Sequence, residues 1–162
     1  MIDGRIKNEK IGGMIMNLYA MVKDYKRKYP LTIGWRLKSH CKIIERHLNP
    51  GEIVNFAFVG QKTDSAFDFM STYVVVLTNR RILLAQKRLL FGYLFTAVTP
   101  DLFNDLKVRS GLIWAKIYID TAKEFITISK IQKSSSDLIE TNITEYMMAE
   151  KKKYGLKGYR ES

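Results

Sequence analysis

Val75-Val76-Leu77-Thr78-Asn79-Arg80-Arg81-Ile82-Leu83-Leu84 reads as two apolar runs joined by a short polar turn. The runs are rich in β-branched residues, which suit a pleated, half-buried surface. Asparagine tolerates left-handed backbone angles at low cost, so Thr78-Asn79-Arg80 predicts a tight hairpin.

Similar runs of five to eight residues recur on both sides of this hairpin, punctuated by turn residues. They predict strands at 53–60, 72–77, 81–86, 93–98, 106–109, 112–120 and 124–131. The sixth is the clearest, with Ile113, Ala115, Ile117 and Ile119 on one face and Trp114, Lys116, Tyr118 and Asp120 on the other. Before Gly51 the period is helical. Met14, Ile15, Leu18, Met21, Val22 and Tyr25 recur at three and four and predict a helix from Asn8 to Lys28. Tyr29-Pro30 stops it. Thr32 is the expected cap of a second helix with the stripe Ile33, Leu37, Cys41, Ile44 and Leu48, ended by Asn49-Pro50-Gly51. After the strands, Ser134, Ser135, Ser136 and Asp137 offer caps for a last helix with Ile139, Ile143, Tyr146 and Met147 on its apolar face. That helix is expected to end near Lys151-Lys152-Lys153, with a loose tail from Tyr154.

Seven antiparallel strands in a small half-open barrel leave one end of the core uncovered, and the last helix is the natural plug. The fold class is therefore mainly β (α+β), a seven-stranded roll capped by a C-terminal helix. Residues 1–50 form a helical extension, 51–150 the roll and 151–162 a basic tail.

The segments Leu48-Asn49-Pro50-Gly51-Glu52, the 75–84 hairpin, Leu89-Leu90-Phe91-Gly92, Thr99-Pro100-Asp101-Leu102 and Gly111-Leu112-Ile113-Trp114-Ala115-Lys116-Ile117 resemble, in order and spacing, bacterial pleckstrin-homology-like (PH-like) domains of the YokE type. The likeness covers residues 45–150. It implies a binding or assembly scaffold and no catalytic residues. Eukaryotic lipid-binding members place a lysine late in the first strand and a basic pair in the second. Here Lys62 follows the first strand, but Ser71-Thr72-Tyr73-Val74-Val75-Val76 holds no basic residue, and Asp64 and Asp68 lie in the loop between. Each carboxylate opposes a multiply charged headgroup by about 1 kcal/mol or more at short range. No specific phosphoinositide is expected.

Composition agrees with one globular unit: 162 residues, 46% hydrophobic, 27% charged and 3 prolines. Cys41 stands alone, so no intrachain disulfide forms. The expected location is cytoplasmic, with peripheral attachment at the inner membrane face as the variant, because no export pattern opens the sequence and the apolar run Ile11–Val22 is too short to span a bilayer. The net charge of +11 asks for an anionic partner, and residues 1–50, with eleven basic against four acidic residues, supply +7 of it.

Chemistry finds little footing. His40, Cys41 and His47 do not converge as metal ligands, because adjacent helical side chains diverge by about 100°. The reading preferred is a buried cysteine between two histidines on the polar face. No phosphate-cradling glycine loop, dinucleotide fingerprint or nucleophile elbow is present, and Asp101 and Asp105 read as turn formers. No cofactor or metal is expected.

The candidates are binding residues. Lys62, Lys87, Arg88 and Lys123 are expected to gather at one end of the roll, among Phe67, Phe69, Met70, Leu89, Leu90, Phe91 and Tyr93. Cations around exposed apolar tips suit an anionic membrane surface. The bland reading, that Leu90, Phe91 and Tyr93 lie in or against the core, is preferred. Lys23, Lys26, Arg27 and Lys28 on the first helix carry the same ambiguity, and docking on the roll or a neighbour is preferred over a membrane because the stripe lacks Trp and Phe. Trp35, Lys38, Lys42 and Arg46 form the outer face of the second helix and are candidate partner contacts. Nucleic acid at Arg80, Arg81 and Arg109 is disfavoured for want of a stacking platform, an Arg-Arg turn being usually a solvated tip. The leading expectation is a protein partner or self-association, and the alternative is weak attachment to anionic membranes.

Overall fold

The computed structural model describes residues 10–11, 14–15, 17–62 and 71–158, with side chains for 17–62 and 71–153. Its strands are β1 (Lys10–Ile11), β2 (Met14–Ile15), β3 (Val54–Gln61), β4 (Thr72–Thr78), β5 (Ile82–Lys87), β6 (Tyr93–Val98), β7 (Phe103–Ser110), β8 (Trp114–Thr121) and β9 (Phe125–Gln132). Three α-helices, α1 (Leu18–Lys28), α2 (Leu37–His47) and α3 (Ser136–Gly158), complete it, with a short 3-10 turn at Lys133–Ser135 leading into α3.

β3 to β9 form one antiparallel sheet in the order β6-β5-β4-β3-β9-β8-β7. The sheet curls into a half-barrel, and its two halves meet where Gln61 pairs with Ser129. Gly60 makes that junction possible. A Cβ there would meet Ile128 Cγ2 at 2.5 Å and the Ser129 carbonyl oxygen at 3.0 Å. The core occupies both faces of β3 to β5: Phe58, Val75 and Leu84 share one buried face, while Val74, Ala85 and Phe95 share the other, on which His47 of α2 packs. Ile117, Ile119, Ile128 and Ile131 of β8 and β9 are buried as well. Residues of β8 alternate between buried and exposed or half-buried, as its sequence requires. α3 plugs the roll against β7 by burying Ile139, Ile143 and Met147.

The first helix is shorter than its periodicity predicts. Lys10–Ile11 and Met14–Ile15 pair as an antiparallel ladder, and α1 starts at Leu18; Asn8 lies outside the described residues. Asn17 takes the cap, its Oδ1 accepting the Ala20 N–H at 2.8 Å. A strong asparagine cap thus sets the start within a run whose apolar spacing continued upstream.

α1 docks on its own roll. Leu18, Val22 and Tyr25 are buried against β3 and α2, the Tyr25 ring lies 6.2 Å from that of Phe58, and the Tyr25 and Ser135 hydroxyls share a hydrogen bond of 2.8 Å. The expected cap of α2, Thr32, is used elsewhere: its hydroxyl accepts the Gln132 N–H at 2.8 Å, tying the α1–α2 linker to the end of β9. Lys130, in the left-handed region, turns its carbonyl to the Ile33 N–H at 3.0 Å from a bulged stretch of β9. α2 therefore begins at Leu37 behind a left-handed Arg36. At the other end α3 continues past the lysine run to Gly158, beyond the predicted stop. Lys151 is held by donating to the Phe103 carbonyl at 2.6 Å.

Candidate interaction surface

The deciding hairpin is built differently from its sequence expectation. Asn79 is not left-handed. Its N–H donates to the Ile53 carbonyl and its Oδ1 accepts the Ile53 N–H, both at 2.9 Å, so it extends the ladder beside β3. Arg81 is no solvated tip. Its guanidinium grips the buried Glu52 carboxylate and also donates to the His47 carbonyl at 2.9 Å. Thr78 Oγ1 and the Asn49 N–H complete the carboxylate's donors at 2.8 and 2.9 Å. Burial alone would raise the Glu52 pKa, but Arg81, Asn49 and Thr78 together outweigh it and hold the carboxyl below its ordinary value. Asn49-Pro50-Gly51-Glu52 and Thr78-Asn79-Arg80-Arg81 are thus two halves of a clasp fastening the end of α2 to the β4–β5 hairpin. Arg80 alone matches the solvated reading, exposed near the Pro50 carbonyl. Arg109 lies over the Tyr118 ring.

At the opposite end, the β5–β6 turn closes through Arg88 N–H to the Gly92 carbonyl at 3.3 Å, with Gly92 in the left-handed region that favours glycine. The turn throws its apolar residues outward: Leu90 is 79% and Phe91 84% exposed, and Leu89 and Tyr93 are exposed as well. This corrects the preferred reading of Leu90, Phe91 and Tyr93 as core residues. A five-residue excursion between paired Lys87 and Tyr93 leaves the sheet before its tip can reach the interior.

Cations surround this tip through a chain of hydrogen bonds. Arg36 donates to the Arg88 carbonyl at 3.3 Å and lies over the Trp35 ring, itself 43% exposed. Trp35 N–H donates to Thr72 Oγ1 at 3.0 Å, and Lys62 N–H to the neighbouring Ser71 carbonyl. Lys62, Trp35, Arg36, Lys87 and Arg88 therefore share one end of the molecule. Lys123 sits in the β8–β9 turn, whose Glu124 and Phe125 line a cavity of about 180 Å³ together with Lys62. Asp64, Phe67, Asp68, Phe69 and Met70 lie outside the described residues.

The α1 cations are occupied within the helix and its exit. Lys26 donates to the Pro30 and Thr32 carbonyls, Arg27 and Lys28 pair with Asp24, and Lys23 lies over the Tyr19 ring. On α2, Lys38, Lys42 and Arg46 face solvent as predicted, while Trp35 precedes the helix and belongs to the tip.

His40 departs from the polar-face expectation. It is fully buried, and its Nδ1 accepts the Lys87 N–H at 2.7 Å. Burial pushes the imidazole down to about 4, aided by Arg36 and opposed by the Trp35 carbonyl. Cys41 is buried beside it, and burial, with Glu45, pushes the thiol up to about 12, where it is no nucleophile. Among the described residues no three His, Cys, Asp or Glu side chains converge as a metal site. No described helix is long and apolar enough to cross a membrane.

Sequence reasoning missed Arg36, whose position before Leu37 gave no signal without the left-handed turn. It also missed a shallow groove of about 490 Å³ between the β7–β8 turn and the start of α3, flanked by Leu31, Ile113 and Leu112, the last 92% exposed.

A family model described as Bacterial PH domain matches residues 48–144, more than half of the chain. Among solved structures, a pleckstrin homology domain from Shewanella amazonensis SB2B aligns at 14% identity and a TM-score of 0.44, over 65% of this chain and 83% of the other. A DUF1696 family protein with a pleckstrin-homology domain, from Shewanella loihica PV-4, aligns at 14% identity and a TM-score of 0.44, over 68% and 88%. No curated protein matches.

Proposed function

Because the chain belongs to the bacterial PH domain family, whose fold is generally a non-catalytic interaction module, we propose that it binds a protein surface, a second copy of itself included. The YokE-type resemblance of its hairpin and of the Gly111-led strand fits such an assembling role, in the cytoplasm. The observation that carries this reading is β6, an apolar strand with a partner on one side only among the described residues. Its unpaired peptide groups offer a template for another strand.

A second reading draws on the β5–β6 turn, where exposed Leu90 and Phe91 stand among Lys87, Arg88 and Arg36. Such a tip suits an anionic bilayer, with the apolar side chains entering the interface and the cations meeting headgroups. α1 plays no part in it, since its apolar face is spent on the roll. Vesicle co-sedimentation separates the two. Binding that requires anionic lipid and fades with salt favours the bilayer, whereas no binding at low salt leaves the protein surface.

A further inference from the structure

Both end strands of the sheet, β6 and β7, have one neighbour among the described residues, yet they are built in opposite ways. β7 carries Asn104, Asp105, Lys107 and Arg109, is irregular between Phe103 and Asp105, and is packed by α3. Charges, a bulge and a covering helix are the devices by which edge strands avoid pairing. β6 reads Tyr-Leu-Phe-Thr-Ala-Val. It holds no charge, glycine or proline, and its register with β5 runs unbroken through six pairs. α2 lies across the outer face of β4 and β5, and His47 stacks on Phe95 at 4.1 Å, so the helix supports the face of β6 and leaves its edge open.

We infer that β6 pairs antiparallel with β6 of a second copy, joining two half-barrels into one continuous sheet about a two-fold axis near Phe95 and Thr96. This rests on the protein-binding reading above and names its partner. Two-fold pairing uses the same edge twice and closes at two chains, whereas pairing β6 with the β7 of another copy would meet that strand's charges and build head-to-tail rings or filaments. Charge supplies the direction. Arg88 stands exposed beyond the Tyr93 end and Asp101 beyond the Val98 end, so antiparallel pairing brings the cation of each copy alongside the carboxylate of the other. A parallel arrangement would set like beside like. The net charge of +11 on each copy opposes association at long range, and salt screens it. The dimer therefore strengthens from low to moderate salt, the reverse of binding to anionic lipid. Antiparallel pairing also turns the two Leu90-Phe91 tips to opposite ends, so both cannot meet one flat bilayer.

Sedimentation velocity across protein concentration, at low and moderate salt, reads the mass, and amide exchange reads the edge. The expected result is a monomer–dimer equilibrium with no larger species, favoured by salt. Every second amide of Tyr93–Val98 points outward in an edge strand, and those amides slow as the dimer fills. Asp101→Arg lies outside the strand, so it preserves the fold while weakening the dimer about 3-fold or more through the two symmetric contacts. A monomer under all conditions overturns the inference, as does a dimer in which the β6 amides exchange as fast as in the monomer. A monomer that binds no vesicles leaves the protein-binding reading standing without the second copy; a monomer that binds anionic vesicles, with loss in salt, removes that reading too.

Discussion

Arg81 holds Glu52 by two parallel N–H···O bonds, Nε to Oε1 at 2.9 Å and a terminal nitrogen to Oε2 at 3.0 Å, and the carboxylate is wholly removed from solvent. Removing one member of such a pair strands the other, so Arg81→Ala is expected to cost about 3–5 kcal/mol. Arg81→Lys keeps the charge but cannot make the fork, and lies between wild type and Ala. Urea unfolding of the three proteins checks the order. Because Glu52 titrates below its ordinary value in the folded state, the pair's contribution is complete above the ordinary carboxylate range and is lost as pH falls through the folded value. The Arg81→Ala protein should show a flatter acid limb.

His40 adds a second acid-sensitive element at higher pH. Its ordinary value is 6.5 and burial brings it to about 4, so between these values the unfolded chain takes up a proton that the folded protein refuses. Stability is full above about 6.5 and declines as pH falls toward 4, by a total on the order of 3 kcal/mol. His40→Asn keeps an acceptor for the Lys87 N–H and removes the titration. Its stability at neutral pH is lower, but the slope between pH 6.5 and 4 should be reduced; an unchanged slope would place the proton uptake elsewhere.

The alternation of β8 was legible because one buried face imposes a period of two, and the continuous apolar runs of β4 and β5 because both of their faces are buried, one of them against α2. The helix faces were legible for the same reason. The clasp was half legible: its two segments stood out as a resemblance, but nothing in spacing says that Arg81 turns inward to Glu52, because that follows from where α2 ends. His40 was misplaced because α2 is covered on two sides, by β4–β5 and by α1, which widens its buried arc to include Ile43 and His40. Leu89-Leu90-Phe91 misled in the other direction. An apolar run looks the same in a core strand and in a turn that projects into water.

Gly60 is required by contact, with an ordinary backbone conformation. Since an added Cβ would fall 2.5 Å from Ile128 Cγ2 where β3 and β9 meet, Gly60→Ala must push the two halves of the roll apart. A loss of about 1–3 kcal/mol is expected. Ile128→Val removes no Cγ2 and should not rescue it, whereas Ile128→Ala removes the clashing carbon and should recover part of the loss. Thermal unfolding of the single and paired variants measures that coupling.

Leu90 and Phe91 give the sharpest contrast between a core and a contact surface. Were they packed in the roll, replacing both by serine would cost several kcal/mol, since Phe→Ala in a core alone costs about 3–5 kcal/mol. At 79% and 84% exposure, the double variant should unfold within about 0.5 kcal/mol of wild type. Losing two exposed apolar side chains without losing stability isolates their surface role. If the tip enters bilayers, the same variant loses vesicle binding while retaining its melting temperature. If the β6 edge is the contact, its dimer is unaffected, because the tip lies beyond the paired residues. A large drop in melting temperature would instead return the turn to the core and remove the membrane reading with it.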